Sequence, residues 1–526
     1  MVAASELNYN TGATAVQMAN EIFGNGATVV GATYSGWSES SAIYSDGDAL
    51  SDFATPGDTG VILSTGRASS YTNSSGDANQ RTNTTTNTPG ANNDALLNAA
   101  AGTATFDASI LTVDFIPTGD KMSIQFTYSS EEYPEFVNSI YNDIVGVWVN
   151  GNYVELAVGS GDNNIGNINA GSNTNLFVDN ANDDYNTEMD GFTLSLTLTL
   201  DVIPNIVNTI RIGIADVGDS NYDSNLLIAA ESIQDDVLLG DDDYDIVQGG
   251  TRVIDVLGND TESTGGTLTI THINGQTVVA GDTITLSTGQ DITLNGDGTF
   301  TVETDTDIES INFTYQAEND SGVDDVAFVT INTIPCFVEG THILTERGER
   351  RVEHLSPGDL VQTYDNGMQP IRWIGARTVE AHGAMAPIRI APGAFGAHRA
   401  LCVSPQHRVL LGDQAAQLYF GQSEVLVAAK DLVNDLTVRR AENGSLVTYI
   451  HILFDEHQLV YSEGLLTESF LPGPQTMQGF PEAAINEICT LFPELDPDTG
   501  KGYGRAARRA LKPFETKLLL GHRHAA

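Results

Sequence analysis

The stretch that decides the fold of the C-terminal part of this chain is Cys336-Phe337-Val338-Glu339-Gly340-Thr341-His342-Ile343, which directly follows Pro335. The element Ser404-Pro405-Gln406-His407 comes about 70 residues later. A thiol at the first position of a β-rich domain, with a Ser-x-x-His element downstream, can attack the peptide bond that joins it to the preceding residue. The pattern therefore predicts self-cleavage before Cys336. The alternative is a buried structural thiol, because free cysteine is among the most buried residue types.

Charge divides the chain at the same place. Residues 1–335 hold 48 acidic and five basic residues, a net charge of −43, whereas residues 336–526 hold 22 acidic and 18 basic residues, a net charge of −4. A chain of 526 residues predicts three or four domains, and the charge shift predicts one of the boundaries. The acidic part would repel nucleic acid and anionic membranes, so we expect no nucleic-acid partner. It suits a solvated surface, or one that holds divalent cations.

The sequence contains no clear motif for export, membrane insertion or disulfide formation. The sequence has no run of 18 apolar residues, so it predicts no transmembrane segment. Residues 1–24 lack the basic and apolar regions of a Sec-type signal. Export would therefore need a non-Sec signal elsewhere in the chain, and the C-terminus is the candidate place for it. The three cysteines, Cys336, Cys402 and Cys489, give no disulfide framework. The default interpretation of Cys402 and Cys489 is a packed core thiol.

Residues 1–233 are predicted to form a β-sandwich, because short β-rich runs alternate with Gly, Asn and Asp turns. Only Thr14–Phe23 has a helical pattern, and Thr72–Asn98 is expected to be a long polar loop. The predicted strands with period-2 character are Val61–Gly66, Met122–Tyr128, Ile144–Gly151, Phe192–Leu198 and Thr209–Ile214.

Four segments of this region carry a resemblance to the choice-of-anchor L domain: Ser129–Phe136, Tyr141–Asp143, Glu188–Thr193 and Ala215–Ser224. The family is found on bacterial surface and secreted proteins that differ in how their C-termini are retained. The resemblance therefore implies a cell-surface or secreted location and an unknown surface ligand. It implies a location more than an activity.

Five carboxylates of the same region are predicted at strand ends or in tight turns: Glu132, Asp143, Asp216, Asp219 and Asp223. Hard oxygen ligands grouped in this way suit Ca²⁺, which takes six to eight oxygens in flexible geometry. The alternative is that they are solvated turn carboxylates without a ligand. No spacing among them matches an EF-hand loop.

Residues 235–334 are predicted to form a smaller immunoglobulin-like sandwich of seven or so short strands with Asn-Gly and Asp-Gly turns. The acidic clusters at its start, Asp235-Asp236 and Asp241–Asp245, resemble those of cadherin-like repeats in bacterial adhesins, where such clusters hold Ca²⁺. The resemblance implies a spacer without catalytic activity.

Residues 336–475 resemble the Hint fold, the hedgehog/intein autoprocessing domain, in the variety appended to bacterial secreted proteins. The fold is all-β, so the expected class of the whole chain is mostly β, with a short helical tail over residues 476–526. The matching segments occur in the family's order and are Cys336–Thr345, Val352–Val361, Gln369–Gly375, Leu401–Leu410 and Tyr449–Val460.

The chemistry implied by this resemblance is an N-to-S acyl shift, in which Cys336 attacks the carbonyl of Pro335, the acyl donor. An amine leaves only as a neutral species, so a general acid is needed at the amide nitrogen, and an imidazole is best matched to neutral pH. His407 is the candidate acid, and Ser404 would hydrogen-bond the scissile backbone. His451 and His457 are the candidates for activating the thiol or the incoming nucleophile, with His457 preferred; for each, a structural role is the alternative.

No cofactor is expected for cleavage, and the absence of CxxC and HExxH motifs argues against zinc. The stretch Tyr461–Ser469 lacks the His-Asn ending that inteins need for splicing. A thioester would therefore be resolved by water or by an external acceptor nucleophile, in a single turnover. In the tail, Pro481–Phe492 and Gly504–Leu520 are predicted helices that pack on the preceding domain or carry an export signal.

Two functions remain open from the sequence. In the first, the C-terminal domain cuts the acidic N-terminal domains from itself in cis. In the second, that domain is catalytically silent, and the chain is a surface-binding or adhesive protein. Retention of Cys336, His407 and the Ser-x-x-His spacing favours the first.

Overall fold

The structure is a computed structural model that describes residues 2–137, 139–159, 161, 163–246, 251–304, 311–332, 336–380, 386–412, 414–434, 436–441, 446–471, 488–495, 503, 505–511 and 515–520. It is mostly β, with a few short helices, as the sequence predicts. The chain divides into two compact units. One contains Met1–Asp242, Asp255–Phe300 and Ile311–Thr330, and the other contains Asp243–Ile254, Thr301–Ser310 and Ile331–Ala526.

The N-terminal part of the first unit is a two-sheet sandwich. One sheet has the strand order β1-β3-β4-β14-β6-β11-β10, with β12 also paired to β6, and the other has the order β2-β5-β13-β7-β8, with β9 also paired to β7. The elements are α1 (Ala15–Ile22), α2 (Gly47–Leu50), α3 (Ala95–Ala101), β1 (Asn8–Asn10), β2 (Ala27–Ser35), β3 (Ser41–Ser45), β4 (Gly60–Ser64), β5 (Thr105–Pro117), β6 (Lys121–Ser130), β7 (Ile144–Val149), β8 (Asn152–Tyr153), β9 (Asn163–Asn164), β10 (Phe177–Asp179), β11 (Gly191–Thr193), β12 (Leu196–Asp201), β13 (Asn208–Val217) and β14 (Ser224–Ala229).

The core of the sandwich lies between the two sheets and contains Phe115 of β5 and Phe126 of β6. The predicted helix is present as α1, and a capping box between Thr14 and Gln17 fixes its start. The single strand predicted over Phe192–Leu198 is wrong, because the chain forms two strands there, β11 and β12. The two strands both pair with β6, at different positions along it.

The middle module contributes further short strands: β15 (Val237–Leu238), β16 (Asp242–Asp245), β17 (Thr251–Ile254), β18 (Thr261–Glu262), β19 (Thr269–Ile273), β20 (Gln276–Thr277), β21 (Thr283–Thr285), β22 (Asp291–Leu294), β23 (Phe300–Glu303), β24 (Ile311–Glu318) and β25 (Asp324–Asn332). Strand β24 lies between β25 and β19, and β19 pairs with β20. Phe328 of β25 belongs to the same apolar core as the sandwich. Asp325 accepts a hydrogen bond from Thr197 of β12.

The second unit contains two sheets with the strand orders β31-β37-β26-β33-β32-β36 and β28-β27-β29-β38-β39-β34-β35, with β30 also paired to β29. The elements are β26 (Phe337–Val338), β27 (His342–Thr345), β28 (Gly348–Arg351), β29 (Leu360–Thr363), β30 (Gly367–Pro370), β31 (Trp373–Glu380), β32 (Ile388–Ile390), β33 (Leu401–Val403), β34 (Arg408–Gly412), α4 (Gln414–Phe420), β35 (Glu424–Ala428), β36 (Val438–Arg440), β37 (Leu446–Leu453), β38 (Leu459–Ser462) and β39 (Leu465–Glu468).

The predicted helix over Gly504–Leu520 is wrong in its first half. Residues 505–511 are not helical, because their backbone pairs with strand β35: the Leu426 N–H donates to the Arg509 carbonyl at 2.8 Å, and the Leu511 N–H donates to the Leu426 carbonyl at 2.8 Å. Residues 515–520 are helical. Of the other predicted helix, residues 488–491 are helical and 481–487 lie outside the described residues.

Candidate functional site

Cys336 directly precedes the short strand β26, in the middle of the six-stranded sheet. Phe337 lies opposite Val403 of β33 and Ile450 of β37. All three belong to the apolar core of the second unit. Because successive side chains of a strand point to opposite faces, Cys336, Ser404 and His451 lie together on the other face of this sheet. We call this surface the thiol face.

The backbone and the thiol of Cys336 each have a partner on this face. The Cys336 N–H donates to Ser404 Oγ at 2.7 Å, and the Ser404 N–H donates to the Cys336 carbonyl at 3.0 Å. Cys336 Sγ lies 3.3 Å from His451 Nε2. The thiol is buried and packs with Val447 and Tyr449. Ser404 and His451 thus contact the nitrogen and the sulfur that an acyl shift would exchange.

His407 follows Ser404 by one turn, and its N–H donates to the Ser404 carbonyl at 3.1 Å. Its ring is buried, with its centroid 4.4 Å from that of Phe337. Neither ring nitrogen forms a hydrogen bond of ordinary geometry with another described residue, although the Cys336 backbone lies close enough to raise the pKa of the ring. Burial lowers the pKa of His407 to about 4, against the opposing effect of the Glu468 carboxylate. The imidazole is therefore neutral at pH 7.

His457 has other partners. Its Nδ1 accepts the Ala507 N–H at 2.9 Å, and its Nε2 lies 3.1 Å from the Ser469 carbonyl and 3.5 Å from Glu468 Oε2. These contacts tie β39 and the C-terminal tail together. The catalytic role preferred for His457 stays a prediction, and the structure places His451 next to the thiol.

Glu468 was assigned no role from the sequence, although it is a buried ion in this domain. Burial opposes its ionisation, but Arg408 and His457 lower its pKa to about 2. Its Oε1 accepts the Arg408 N–H at 2.9 Å. The sequence gives little signal for this role, because Glu468 lies between Thr467 and Ser469 in the mixed segment Leu465–Phe470.

The predicted carboxylates of the sandwich also converge. The Asp143 N–H donates to Glu132 Oε2 at 3.0 Å, and Asp143 accepts from the Ser224 hydroxyl at 2.7 Å and from the Val217 N–H at 3.0 Å. The side chain of Asp216 hydrogen-bonds to that of Asp143.

Burial is the main cause of the raised pKa values of these carboxyl groups. It raises the pKa of Glu132 to about 10 and that of Asp223 to about 6, and it holds the pKa values of Asp143 and Asp216 well above the ordinary range. Asp219, which is half-exposed, acts on Glu132 as a neighbouring charge. Within the described part of the chain, no group of three or more His, Cys, Asp or Glu side chains has an arrangement suited to a metal ion.

Two segments of the chain match known family models. Residues 335–474 match the family model described as Hint domain. Residues 6–234 match the one described as Choice-of-anchor L domain. The chain carries both domains. The Hint domain therefore begins next to Cys336 and contains the whole thiol face, and the cadherin-like identity of the middle module stays a prediction.

No curated protein matches the chain. One similar solved structure is the M60 catalytic domain with the CBM51-1 and CBM51-2 domains of Clostridium perfringens ZmpB, with 8% identity, a TM-score of 0.14, and coverage of 70% of this chain and 34% of that one. Another is SGBP-B of the Bacteroides ovatus mixed-linkage glucan utilization locus, in complex with a mixed-linkage heptasaccharide, with 10% identity, a TM-score of 0.12, and coverage of 63% and 90%. The chain thus spans about one third of the first of these proteins.

Among the helices of the described residues, none combines the length and the apolar character that a membrane span requires.

Proposed function

We propose that this is a secreted or cell-surface bacterial protein whose Hint domain cleaves the chain in cis between Pro335 and Cys336. Pro335 lies outside the described residues. The observation that carries the proposal is the pair of contacts at Cys336, where Ser404 Oγ lies 2.7 Å from the nitrogen and His451 Nε2 lies 3.3 Å from the sulfur. The choice-of-anchor L domain supports the location.

The first step forms the nucleophile. His451 Nε2 takes the thiol proton, as a general base within hydrogen-bond reach can. The thiolate then adds to the carbonyl carbon of residue 335, and a C–S bond forms. The contact at 3.3 Å supports His451 as the residue that activates the thiol.

The second step breaks the C–N bond, and the Cys336 nitrogen must gain a proton before it leaves. The Ser404 hydroxyl is the group in contact with that nitrogen and can pass a proton to it. The proposed proton source is His407, whose backbone N–H donates to the Ser404 carbonyl at 3.1 Å and whose pKa the Cys336 backbone raises against the effect of burial. Because the pKa of His407 is about 4, the protonated form is scarce at neutral pH. This scarcity makes the step slow at pH 7 and faster in acid.

The third step resolves the thioester by water or by an external acceptor nucleophile, in a single turnover. No cofactor takes part in these steps. For the sandwich, we propose Ca²⁺ as a structural ion of the cluster around Asp143 and Asp216, since buried carboxylates gain from a compensating cation. The carboxylates would have to rearrange to bind it, because no group of described residues is arranged for a metal ion.

A silent Hint domain is the second candidate, and one observation favours it. Cys336 is only 6% exposed and packs against Val447 and Tyr449, as a core thiol would. In that case the chain is a surface-binding protein, and its activity lies in the choice-of-anchor L domain.

Intact mass spectrometry of the purified full chain, with and without hydroxylamine at neutral pH, distinguishes the two candidates. Cleavage would convert the 56.0 kDa chain into pieces of about 36 and about 20 kDa, in proportion to their lengths. Hydroxylamine should accelerate it, because a thioester is far more electrophilic than an amide. A chain that stays intact after prolonged incubation would support the silent domain.

A further inference from the structure

Two arginines extend the thiol face beyond the nucleophile. On strand β32, Arg389 lies directly opposite Cys402, and on strand β36, Arg439 lies directly opposite Arg389. Their neighbours Ile388, Ile390 and Val438 belong to the apolar core. Since side chains alternate along a strand, the two arginines lie on the face that carries Cys402 and, on the adjacent strand, Cys336.

This arrangement of charges is unfavourable without a counter-ion. Like charges directly opposite each other on neighbouring strands destabilise a sheet. Both arginines are exposed, and neither forms an ion pair with another described residue. Many other arginines of this unit do have carboxylate partners: Arg347, Arg350, Arg351, Arg372, Arg399, Arg408, Arg508 and Arg509.

The positive pair lies close to the site. The charge of Arg389 acts on the Cys402 thiol, and both Cys402 and Cys336 act on Tyr449. Neighbouring strands are about 4.8 Å apart, so Arg389, two strands from Cys336, starts on the order of 10 Å from it. An extended peptide of about three residues spans that distance.

We propose that Arg389 and Arg439 bind a carboxylate of the acceptor nucleophile and so orient that acceptor towards the Cys336 thioester. Guanidinium groups suit this role because their planar donors match a carboxylate in a bidentate geometry. The inference rests on the proposed function. It names the acceptor class as a short peptide-like thiol or amine that carries a carboxylate.

The transfer step is balanced. The acceptor sulfur or nitrogen attacks the thioester carbonyl, forms a new C–S or C–N bond and loses one proton. The C–S bond to Cys336 breaks, and its sulfur receives that proton and returns to a thiol. No oxidant or reductant is required.

Binding is tested first, without any cleavage, on the full chain with Cys336→Ala. The probe is glutathione with a methylated sulfur, a tripeptide that carries carboxylates, titrated by calorimetry. Hydrogen bonds between charged groups lead us to expect that Arg389→Gln with Arg439→Gln weakens binding about tenfold or more. Arg440→Gln is the matched control, since Arg440 is the next residue, is exposed, and alternates to the other face of β36. Equal affinity of the double variant and the parent, absence of binding to the parent, or an equal loss with Arg440→Gln would overturn the inference.

Resolution of the thioester is tested next on the chain with Cys336 intact. Glutathione and its diethyl ester carry the same thiol, and only the first has free carboxylates. We expect glutathione to release the N-terminal piece about tenfold faster, and the preference to disappear in the double variant but not in Arg440→Gln. Equal rates for the two thiols would contradict the inference. Failure of hydroxylamine to cleave the parent chain would contradict the proposed function instead, and the titration would still decide whether the carboxylate site exists.

Discussion

His451 Nε2 lies 3.3 Å from Cys336 Sγ, and both side chains are buried. In that setting an unaided thiol ionises poorly, since burial disfavours the charged form. The imidazole supplies a partner that accepts the thiol proton without a change in net charge. In the proposed mechanism, this contact would let His451 activate the thiol.

The first prediction compares two histidines. His451→Ala should slow hydroxylamine-induced cleavage by about 10²–10⁴-fold, as expected for loss of a positioned general base. His457→Ala should instead lower the melting temperature, because both of its ring nitrogens hold the tail and β39 together. The measurements are cleavage rates by mass spectrometry and thermal unfolding of each variant. A wild-type rate for His451→Ala with a large loss for His457→Ala would restore His457 as the activating residue.

The second prediction concerns pH and His407. With a pKa of about 4, its protonated fraction rises about tenfold for each unit that the pH falls between 7 and 5. The rate advantage of the parent chain over His407→Ala should therefore grow as the pH is lowered over this range. Taking the ratio of the two rates removes the opposing effect of acid on the thiol, which both proteins share. A ratio that stays constant from pH 7 to 5 would show that His407 does not supply the proton.

Many of the candidate residues around Cys336 can be predicted from sequence, because short local motifs contain them. The first residue of the domain and a four-residue motif are enough to select Cys336, Ser404 and His407 as candidates, and the structure brings these residues together. The choice between His451 and His457 could not be predicted, because both lie in one β segment and their spacing of six fixes neither the end of β37 nor the path of the chain around Asp455. Arg389 and Arg439 could not be found either, since only the strand register brings them together.

The C-terminal tail also shows that a sequence pattern alone does not fix local structure. An amphipathic pattern in the Gly504–Leu520 segment favours a helix, but residues 505–511 gain backbone hydrogen bonds with the β35 strand. Tertiary pairing of this kind overrides local propensity. The sequence also predicts the sandwich carboxylates at strand ends and turns, where the structure has them, whereas their burial against one another depends on contacts between distant strands.

A third prediction links stability to the buried carboxyls of the sandwich. The folded-state pKa values of Glu132, Asp143 and Asp216 are raised, mainly by burial, so the folded protein keeps protons that the unfolded chain has lost. Their contribution to stability is full below the ordinary carboxyl pKa of about 4 and declines as the pH rises towards the folded-state values. Thermal unfolding in EDTA should therefore give a lower melting temperature at pH 8.5 than at pH 6. Asp143→Asn with Asp216→Asn should flatten this dependence, and an equally steep slope in the double variant would contradict the assignment.

A fourth prediction tests the calcium proposal for the same cluster. At pH 8, where a bound cation can displace protons from these buried carboxyls, millimolar Ca²⁺ should raise the melting temperature of the full chain relative to EDTA. Asp216→Asn should reduce this shift, because one oxygen of the Asp216 carboxylate has no hydrogen-bond partner among the described residues. Asp291→Asn, an exchange in strand β22 of the middle module, is the control and should leave the shift intact. No shift in the parent chain would remove calcium from the proposal, with the cleavage mechanism unaffected.

The last prediction concerns Ser404, whose Oγ accepts the Cys336 N–H at 2.7 Å. Ser404→Ala removes the hydroxyl that contacts the leaving nitrogen and should slow hydroxylamine-induced cleavage by about 10²-fold or more. Ser404→Thr keeps the hydroxyl and should retain most of the rate. Cys402→Ala is the matched control in the same strand, and it should cleave at close to the parent rate because its thiol contacts neither the scissile nitrogen nor the nucleophile in the proposed mechanism. Mass spectrometry must place every cut before Cys336, and Cys336→Ala must not cleave at all, since the acyl shift needs its sulfur. If Ser404→Ala and Ser404→Thr cleave at the same rate as the parent, the hydroxyl has no part in proton transfer, and the Cys336 nitrogen must receive its proton from another group.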